Sequence, residues 1–464
     1  MTKILEKRDI VIEEIQGDTL TPISIYQRLS GRKKFLLESS LKHEDSGRFS
    51  FIGASPALEL KGFKDKSVLV QENVETVLQE KPLEAIKGLM PNEIKIDDHP
   101  VPFIGGAVGF VGYDVVRHYE NIGEVPKDEL NVPDVHFMMF EEAVVFDHLK
   151  QKVYLVGTPL LENTDEKKLR ARLLKMREDI QRGHDGELQS VQISQYKSSI
   201  TKERFIEMVK KAKEYIVEGD IFQVVLSQRM KASIEGDPFS FYRKLRVHNP
   251  SPYMYYFDFE DYIVAGASPE SLIKAENNKV ITNPIAGTRP RGKTPDEDQQ
   301  LEEELLADEK ELAEHKMLVD LGRNDVGRVS EYGSVNVDKY MKIEKYKHVM
   351  HIVSEVSGQL TNNYKPIDAL IACLPAGTVS GAPKIRAMEI INELEEVKRG
   401  VYSGAVGYLS ANGNMDFALA IRTALIKDNE VFIQAGAGIV YDSVPETEFE
   451  ETIHKLRAFL EEDK

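Results

Sequence analysis

GAVGYLSANGNMDFALAIRTALIKDNEVFIQAGAG, residues 404–438, carries the strongest fold signal in this chain. Asn412-Gly413 and Asp428-Asn429 supply turns between runs in which apolar and polar residues alternate, the pattern of hairpins. The stretch predicts an antiparallel meander. On its central strand Phe417, Leu419 and Ile421 share one face, and Ala418, Ala420 and Arg422 share the other. An arginine beyond two small residues suits a cavity; an arginine exposed at a sheet surface gives the same pattern.

Strand signals also fill the first ~180 residues. RFSFIGASPALEL (48–60), SVLVQ (67–71) and VHFMMFEEAVVFDHLKQKVYLVG (135–157) alternate around turn residues, and a charged helix, DEKKLRARLLKMREDIQRG (165–183), follows. The polar, weakly periodic segment after it marks a boundary, dividing a β-rich region at 1–185 from a second region at 186–464. The second region opens on an amphipathic helix with Thr201 as N-cap, Phe205, Met208, Val209 and Ala212 at helical spacing, and Gly219 as its stop. That helix feeds the strand FQVVLSQRM (222–230). In GGAVGFVGYD (105–114), Gly106, Gly109 and Gly112 point to close strand packing; the G-x-G start and acidic ribose partner of a dinucleotide site are missing.

A chain of 464 residues exceeds the size at which one core stops growing, so two cores or an elaborated double-layer domain are expected. No stretch approaches the ~20 apolar residues of a membrane helix. MTKILEKRDIVIEEI has no apolar run of a secretory leader, which makes a cytoplasmic protein the expectation. A net charge of −17 argues against nucleic acid as a partner and favours a small-molecule ligand. If that ligand is an anion, the pocket must concentrate positive charge or a cation. The single cysteine, Cys373, sits in ALIACLPAG and reads as a buried thiol.

Carboxylates occur where apolar residues are expected. ELLADEKELAEHKMLVDLGRND (304–325) is helical by pattern, and Glu311 and Glu314 share an arc with Ala307, Leu318 and Leu321. Glu448 and Glu451 repeat the spacing on ETEFEETIHKLRAFL (446–460), beside the stripe Phe449, Ile453, Leu456 and Leu460. Two such pairs could converge on a hard cation such as Mg²⁺, or be solvated helix flanks.

Six segments in order resolve the ambiguity: DIFQVVLSQR, GASPESL, NPIAGTRPRG, EHKMLVDLGRND, GTVSGAPK and QAGAGIVYDSVPETEFEET. Together they resemble the motifs of the chorismate-utilising enzymes, anthranilate synthase component I in particular, from about Thr201 to the end and more loosely before it. The resemblance implies an α+β fold with antiparallel β-sheets sandwiched between helices. It implies Mg²⁺ held directly by Glu314 and Glu451 and through water by Glu311 and Glu448. Chorismate would be held at its ring carboxylate by Mg²⁺ and the backbone of Gly436, Ala437 and Gly438, and at its enolpyruvyl carboxylate by Tyr402 and Arg422. Gly287, Thr288 and Thr378 match further substrate contacts. The chemistry is consistent, because glycine lets backbone N–H groups approach an anion and arginine grips a carboxylate bidentately. Glu270 matches the general acid for the departing C4 hydroxyl, and His351 the histidine of the elimination half; alone, His351 reads as a core histidine.

Two positions select within the family. Water-activating relatives carry a lysine where this chain has Gln223, and aminodeoxychorismate synthases carry a nucleophilic lysine where it has Ala286. Ammonia is the attacker both readings imply. No glutaminase-type cysteine is present, so a glutamine amidotransferase subunit is the implied partner, in a heterodimer or heterotetramer. Leu36-Leu37-Glu38-Ser39 resembles the family's tryptophan-sensing motif, and Pro252-Tyr253-Met254 its facing wall, which implies feedback inhibition by tryptophan. The implied activity is conversion of chorismate and ammonia to anthranilate and pyruvate. The alternatives are aminodeoxychorismate synthase component I and a non-catalytic tryptophan-binding regulatory subunit.

Overall fold

The computed structural model describes residues 10–39, 47–64, 66–91, 101–346 and 349–460. The first nine residues, within the stretch read as lacking a leader, and Ser40 of the LLESS run lie outside them.

Two large sheets form the centre, and every strand pair within them is antiparallel. The first runs from Val11–Gln16 at one edge, through Phe35–Glu38, Tyr253–Asp258 and Ile263–Ser268, to Glu430–Ile439 and Gln223–Gly236. The second carries Ile285–Pro290 and Val349–Gln359 at one side, Ser271–Glu276, Met415–Leu419 and Ala405–Ser410 in the middle, and Leu58–Phe63 beyond. Aromatic and aliphatic residues from both, including Phe35, Phe110, Met138, Tyr255 and Leu425, fill the space between them. The outer face of the first sheet packs against helices such as Glu166–Arg182 and Pro238–His248. The outer face of the second packs against Pro82–Leu89, Glu309–Gly327 and Pro366–Cys373. The result is helix, sheet, sheet, helix, as the resemblance implies. Each apolar side chain buried between the sheets contributes about 1.5–3 kcal/mol, which is what such layering exploits.

Strands on either side of the sequence boundary at residues 185 and 186 pair directly. Leu36 lies opposite Tyr256, and Gly109 opposite Gly407, so the two regions share both sheets and their cores. The close packing read from GGAVGFVGYD is present: a Cβ on Gly109 would stand 1.9 Å from the His136 carbonyl. Thr201 caps Lys202–Glu218 by accepting the Arg204 N–H, and Gly219 ends that helix at φ 87°. Cys373 is buried.

Two expectations need correction. The meander of residues 404–438 is two hairpins in different sheets. Ala405–Ser410 and Met415–Leu419 belong to the second sheet, Thr423–Lys427 and Glu430–Ile439 to the first. Strand alternation therefore stops at Leu419, and Ala420, Ile421 and Arg422 form a crossing between sheets, with Arg422 at φ 49°. The helix read through residues 304–325 is also broken. Pro295–Ala307 ends at Asp308, whose carboxylate accepts the N–H groups of Lys310 and Glu311 and starts Glu309–Gly327. Capping by an aspartate satisfies N–H groups that a fresh helix start exposes, and it outweighs the continuous apolar pattern. Ala307 thus shares no helix with Glu311.

Candidate active site

Two of the points where the chain crosses between the sheets are adjacent corners, and these corners build the site. One is Pro269-Glu270, between Ile263–Ser268 of the first sheet and Ser271–Glu276 of the second. The other is Ala420–Arg422. They are tied together, because the Leu419 N–H donates to the Glu270 carbonyl at 3.0 Å and the Ala267 N–H to the Arg422 carbonyl at 3.1 Å. A corner frees side chains from the strand alternation, so neither Glu270 nor Arg422 is committed to a sheet face.

Glu270 accepts a hydrogen bond from the Thr378 hydroxyl at 2.9 Å. Burial pushes its carboxyl up to about 7, against the opposing effects of that hydrogen bond and of the Lys455 and Arg422 charges. Glu270 can therefore hold a proton near neutral pH and release it, which is what a general acid requires. The Arg422 guanidinium has no ion-pair partner among the described residues, and burial lowers its pKa while Glu270 opposes that. Its five donors are available to a carboxylate.

The floor is the pair Gln223–Gly236 and Glu430–Ile439, in which Val225 lies opposite Gly438, Leu226 opposite Ala437 and Ser227 opposite Gly436. The neighbouring strand Thr423–Lys427 reaches only to Ile433, so from Gln434 onward one edge has no strand beside it. Alternate backbone N–H groups of such a segment face outward, a recess for an anion. Space is tight at Gly436, where a Cβ would lie 2.8 Å from the Tyr402 hydroxyl and 2.9 Å from the Leu226 carbonyl; a Cβ on Gly438 would meet only Gln223 Nε2, at 2.8 Å, the end of a side chain that can move aside.

A bulge forms the opposite wall. The register of Ile285–Pro290 on Val349–Gln359 shifts between Ala286 and Thr288, with Gly287 at φ 65° as the extra residue. Thr288 faces His351, whose Nδ1 lies 3.0 Å from the Gly287 carbonyl and 3.1 Å from the Thr288 hydroxyl. A carbonyl only accepts, so Nδ1 carries the proton and Nε2 is left as an acceptor. Burial lowers the His351 pKa, which keeps the ring neutral.

Glu311 and Glu314 sit on the first turns of Glu309–Gly327, and Glu448 and Glu451 on Pro445–Lys455. Phe449, Ile453 and Leu456 anchor the second helix in the core; the Leu460 side chain lies outside the described residues. Glu311 and Glu448 are raised, first by burial, and then by Glu314 and by Glu451 respectively, with Ser443 opposing at Glu448. Lys310 acts on Glu448 across the gap, so the two helices face each other. Glu314 makes a long 3.5 Å contact with the Gln223 amide. Among the described residues no three such ligands stand close enough together to hold an ion. The donor set nevertheless fits Mg²⁺: oxygen ligands in two like-charged pairs whose mutual repulsion a hard cation would relieve.

The tryptophan-motif residues meet on the far side of the first sheet's centre. Leu37 lies opposite Tyr255 and Glu38 opposite Met254, where the pairing ends; Ser39 follows Glu38, and Pro252 and Tyr253 precede Met254. Buried Glu38 accepts from the Tyr242 hydroxyl at 2.7 Å and Arg246 Nε at 2.6 Å.

Sequence reasoning missed two cations. Lys455 donates to the Gly436 carbonyl at 2.9 Å and pairs with Glu451 at 2.7 Å. Arg289 pairs with Asp308 at 2.8 Å and approaches Glu311 at 3.6 Å. The i, i+4 spacing from Glu451 was the available signal for Lys455. Both are balanced by carboxylates, which leaves Arg422 as the site cation without an ion-pair partner among the described residues.

The chain is 48% identical over 452 residues to anthranilate synthase component 1 of Lactococcus lactis subsp. lactis (strain IL1403), covering 97% of this chain and 98% of that protein. The crystal structure of anthranilate synthase component I from Streptococcus pneumoniae TIGR4 superposes with a TM-score of 0.83 at 44% identity, covering 98% of this chain and 100% of that one. The menaquinone-specific isochorismate synthase from Escherichia coli shares the fold, with a TM-score of 0.73 at 19% identity over 99% and 96% of the two chains. Residues 21–461 match the chorismate binding enzymes, and with sheets, corners and candidate site residues arranged as described, the chain belongs to that family.

Proposed function

We infer that this chain is the chorismate-using component of an anthranilate synthase, converting chorismate and ammonia to anthranilate and pyruvate as the first committed step toward tryptophan. The observation that carries the reading is Glu270, a carboxyl raised to about 7 beside the corner of Arg422, which has no ion-pair partner among the described residues, in a chain 48% identical to anthranilate synthase component 1 of Lactococcus lactis. Arg422 and the Tyr402 hydroxyl grip the enolpyruvyl carboxylate, while the backbone of Gly436–Gly438 receives the ring carboxylate. Ammonia adds at ring C2 and gives up a proton, both ring double bonds shift by one position, to C1–C6 and C4–C5, and the C4–O bond breaks as the hydroxyl leaves with the proton Glu270 supplies. Loss of the C2 proton and of pyruvate then restores aromaticity, with neutral His351 Nε2 at hand as an acceptor.

Gln223 has no basic nitrogen to activate water, and Ala286 cannot attack the ring, so ammonia remains as nucleophile. Mg²⁺ held by Glu314, Glu451, Glu311 and Glu448 would neutralise the ring carboxylate and polarise the leaving group's surroundings. The ammonia comes from a glutamine amidotransferase subunit in a heteromeric complex in the cytoplasm. Among the described residues no helix is long and apolar enough to cross a membrane, which fits this setting.

Tryptophan binding at Leu37–Ser39 and Pro252–Met254 gives feedback inhibition. The Tyr253 hydroxyl lies 3.1 Å from Asp416 on Met415–Leu419, the strand whose last N–H holds the Glu270 carbonyl. A ligand that moves Tyr253 thus has a short path to the acid, provided it binds the two states unequally.

The test is fluorescence of anthranilate from purified chain, chorismate, Mg²⁺ and ammonium salt, with and without tryptophan or EDTA. Anthranilate that vanishes with either addition supports the whole reading. Accumulated aminodeoxychorismate would replace it with the related synthase, and failure to bind chorismate would favour a regulatory subunit.

A further inference from the structure

Behind the Thr378 turn and the floor strands lies a buried ion pair that the reaction above does not touch. Glu395 closes the helix Lys384–Leu394, and Arg399 follows four residues later; their side chains are 5% and 1% exposed. Arg399 Nε donates to one Glu395 oxygen at 2.7 Å, and Nη2 to the other at 2.6 Å. Nη2 also donates to the Val225 carbonyl at 2.7 Å, and Nη1 to the Val379 carbonyl at 2.7 Å and the Ser403 hydroxyl at 3.3 Å. All five donors are used. Glu395 accepts in addition from the Ser227 N–H at 2.7 Å and the Ser227 hydroxyl at 2.9 Å. The guanidinium stands 5.6 Å from the Tyr402 ring centre and 4.8 Å from that of Tyr113.

Each partner is next to a site residue. Val379 follows Thr378, which holds Glu270. Val225 and Ser227 lie opposite Gly438 and Gly436, and Gln223 is on the same strand. Ser403 follows Tyr402. One planar fork therefore spans the turn, the floor and the carboxylate-binding tyrosine. The attraction between the two charges adds little to stability by itself, because burying them costs much of what it returns; what an apolar pair of like volume would lose is the partners of the Ser227 N–H and of the Val225 and Val379 carbonyls. What the pair adds is direction, since a guanidinium fixes several acceptors in one plane and an ammonium or thioether cannot.

We propose that Glu395 and Arg399 are positioning residues for the reaction, locking the Thr378 turn, the Gln223–Ser227 strand and Tyr402 into one geometry around the substrate. This rests on the function proposed above. The parent's own anthranilate synthesis, measured alongside, separates failure of that reading from failure of this one.

The decisive variant is Glu395→Leu with Arg399→Met, an apolar replacement of both partners. It is expected to stay folded but melt lower than the parent, because the Ser227 N–H and the Val225 and Val379 carbonyls lose their partners, while kcat with chorismate and ammonium falls about 10- to 100-fold with KM changed far less, the usual cost of a misplacement near 1 Å. A folded double variant with kcat and KM within about twofold of the parent overturns the proposal. Should the double variant not fold, Arg399→Lys keeps the charge and loses the fork. It is expected to lose kcat similarly, with Thr378→Ala costing little further in its background. Full activity in Arg399→Lys, or a Thr378→Ala loss that simply multiplies, overturns the idea that Arg399 acts through the turn.

Discussion

Replacing Glu270 by Gln should make the protein more stable at alkaline pH and nearly inactive. The carboxyl is raised from 4.5 to about 7 chiefly by burial, and each pH unit of such displacement corresponds to about 1.4 kcal/mol. Between those two values the folded state binds more protons at this site than the unfolded state, so the site's contribution to stability falls as pH rises through the window and is flat above it. Ionised Glu270 thus costs the fold about 3 kcal/mol at about pH 8.5, and about 1 kcal/mol at about pH 5. Glutamine keeps an oxygen to accept the Thr378 hydroxyl and cannot ionise, which removes the penalty. Urea unfolding of parent and Glu270→Gln at the two pH values reads this directly: the variant's advantage should grow by about 2 kcal/mol between them. Loss of the acid should lower kcat by about 10²- to 10⁴-fold. A stability difference that is the same at both pH values would refute the reasoning, since it would mean that Glu270 ionises alike in the folded and unfolded chain.

Gly436→Ala should raise KM for chorismate and cost about 1–3 kcal/mol, because its Cβ would press on the Tyr402 hydroxyl and, at 2.9 Å, on the Leu226 carbonyl; an unchanged KM removes the recess from the substrate site. His351, held below 6.5 by burial, should stay neutral on mild acidification, so any acid limb of kcat that disappears in His351→Asn must have its midpoint below that value; a midpoint above it contradicts the buried ring. The stability His351 contributes should be lost as pH falls through its lowered pKa. Mg²⁺ should raise the melting temperature of the parent by mass action and fail to do so in Glu314→Gln or Glu451→Gln; equal shifts in all three would place the cation elsewhere. Arg246→Met leaves buried Glu38 short of a partner and should cost about 1–3 kcal/mol while weakening tryptophan inhibition; a full response would separate Glu38 from the inhibitor site.

Much of this protein was legible in the sequence because local rules and ordered motifs carry it. Thr201 and Gly219 bound a helix by capping chemistry alone, alternation gave the strands around Asn412-Gly413, and GASPES with QAGAG pointed to the family. Residues 404–438 read as one antiparallel meander, because nothing local records that its two hairpins lie in different sheets. Alternation describes one strand and its two faces, so it carried Arg422 onto a face with Ala418 and Ala420. Only the packing of two sheets around a shared core forces the chain to turn over at Ala420–Arg422, and the same demand puts Glu270 at the neighbouring corner. Helical periodicity likewise ran through Asp308, where a side chain competes for N–H groups that a pattern of apolar residues cannot register. Lys455, Arg289 and the Glu395–Arg399 pair were invisible for a related reason: a charged residue reads as solvated until its partners arrive from distant segments. The sequence by itself determined most of the helices and strands and which side chains are candidates for the chemistry; the tertiary structure alone decided where the sheets cross, and so how much water each of those charges loses.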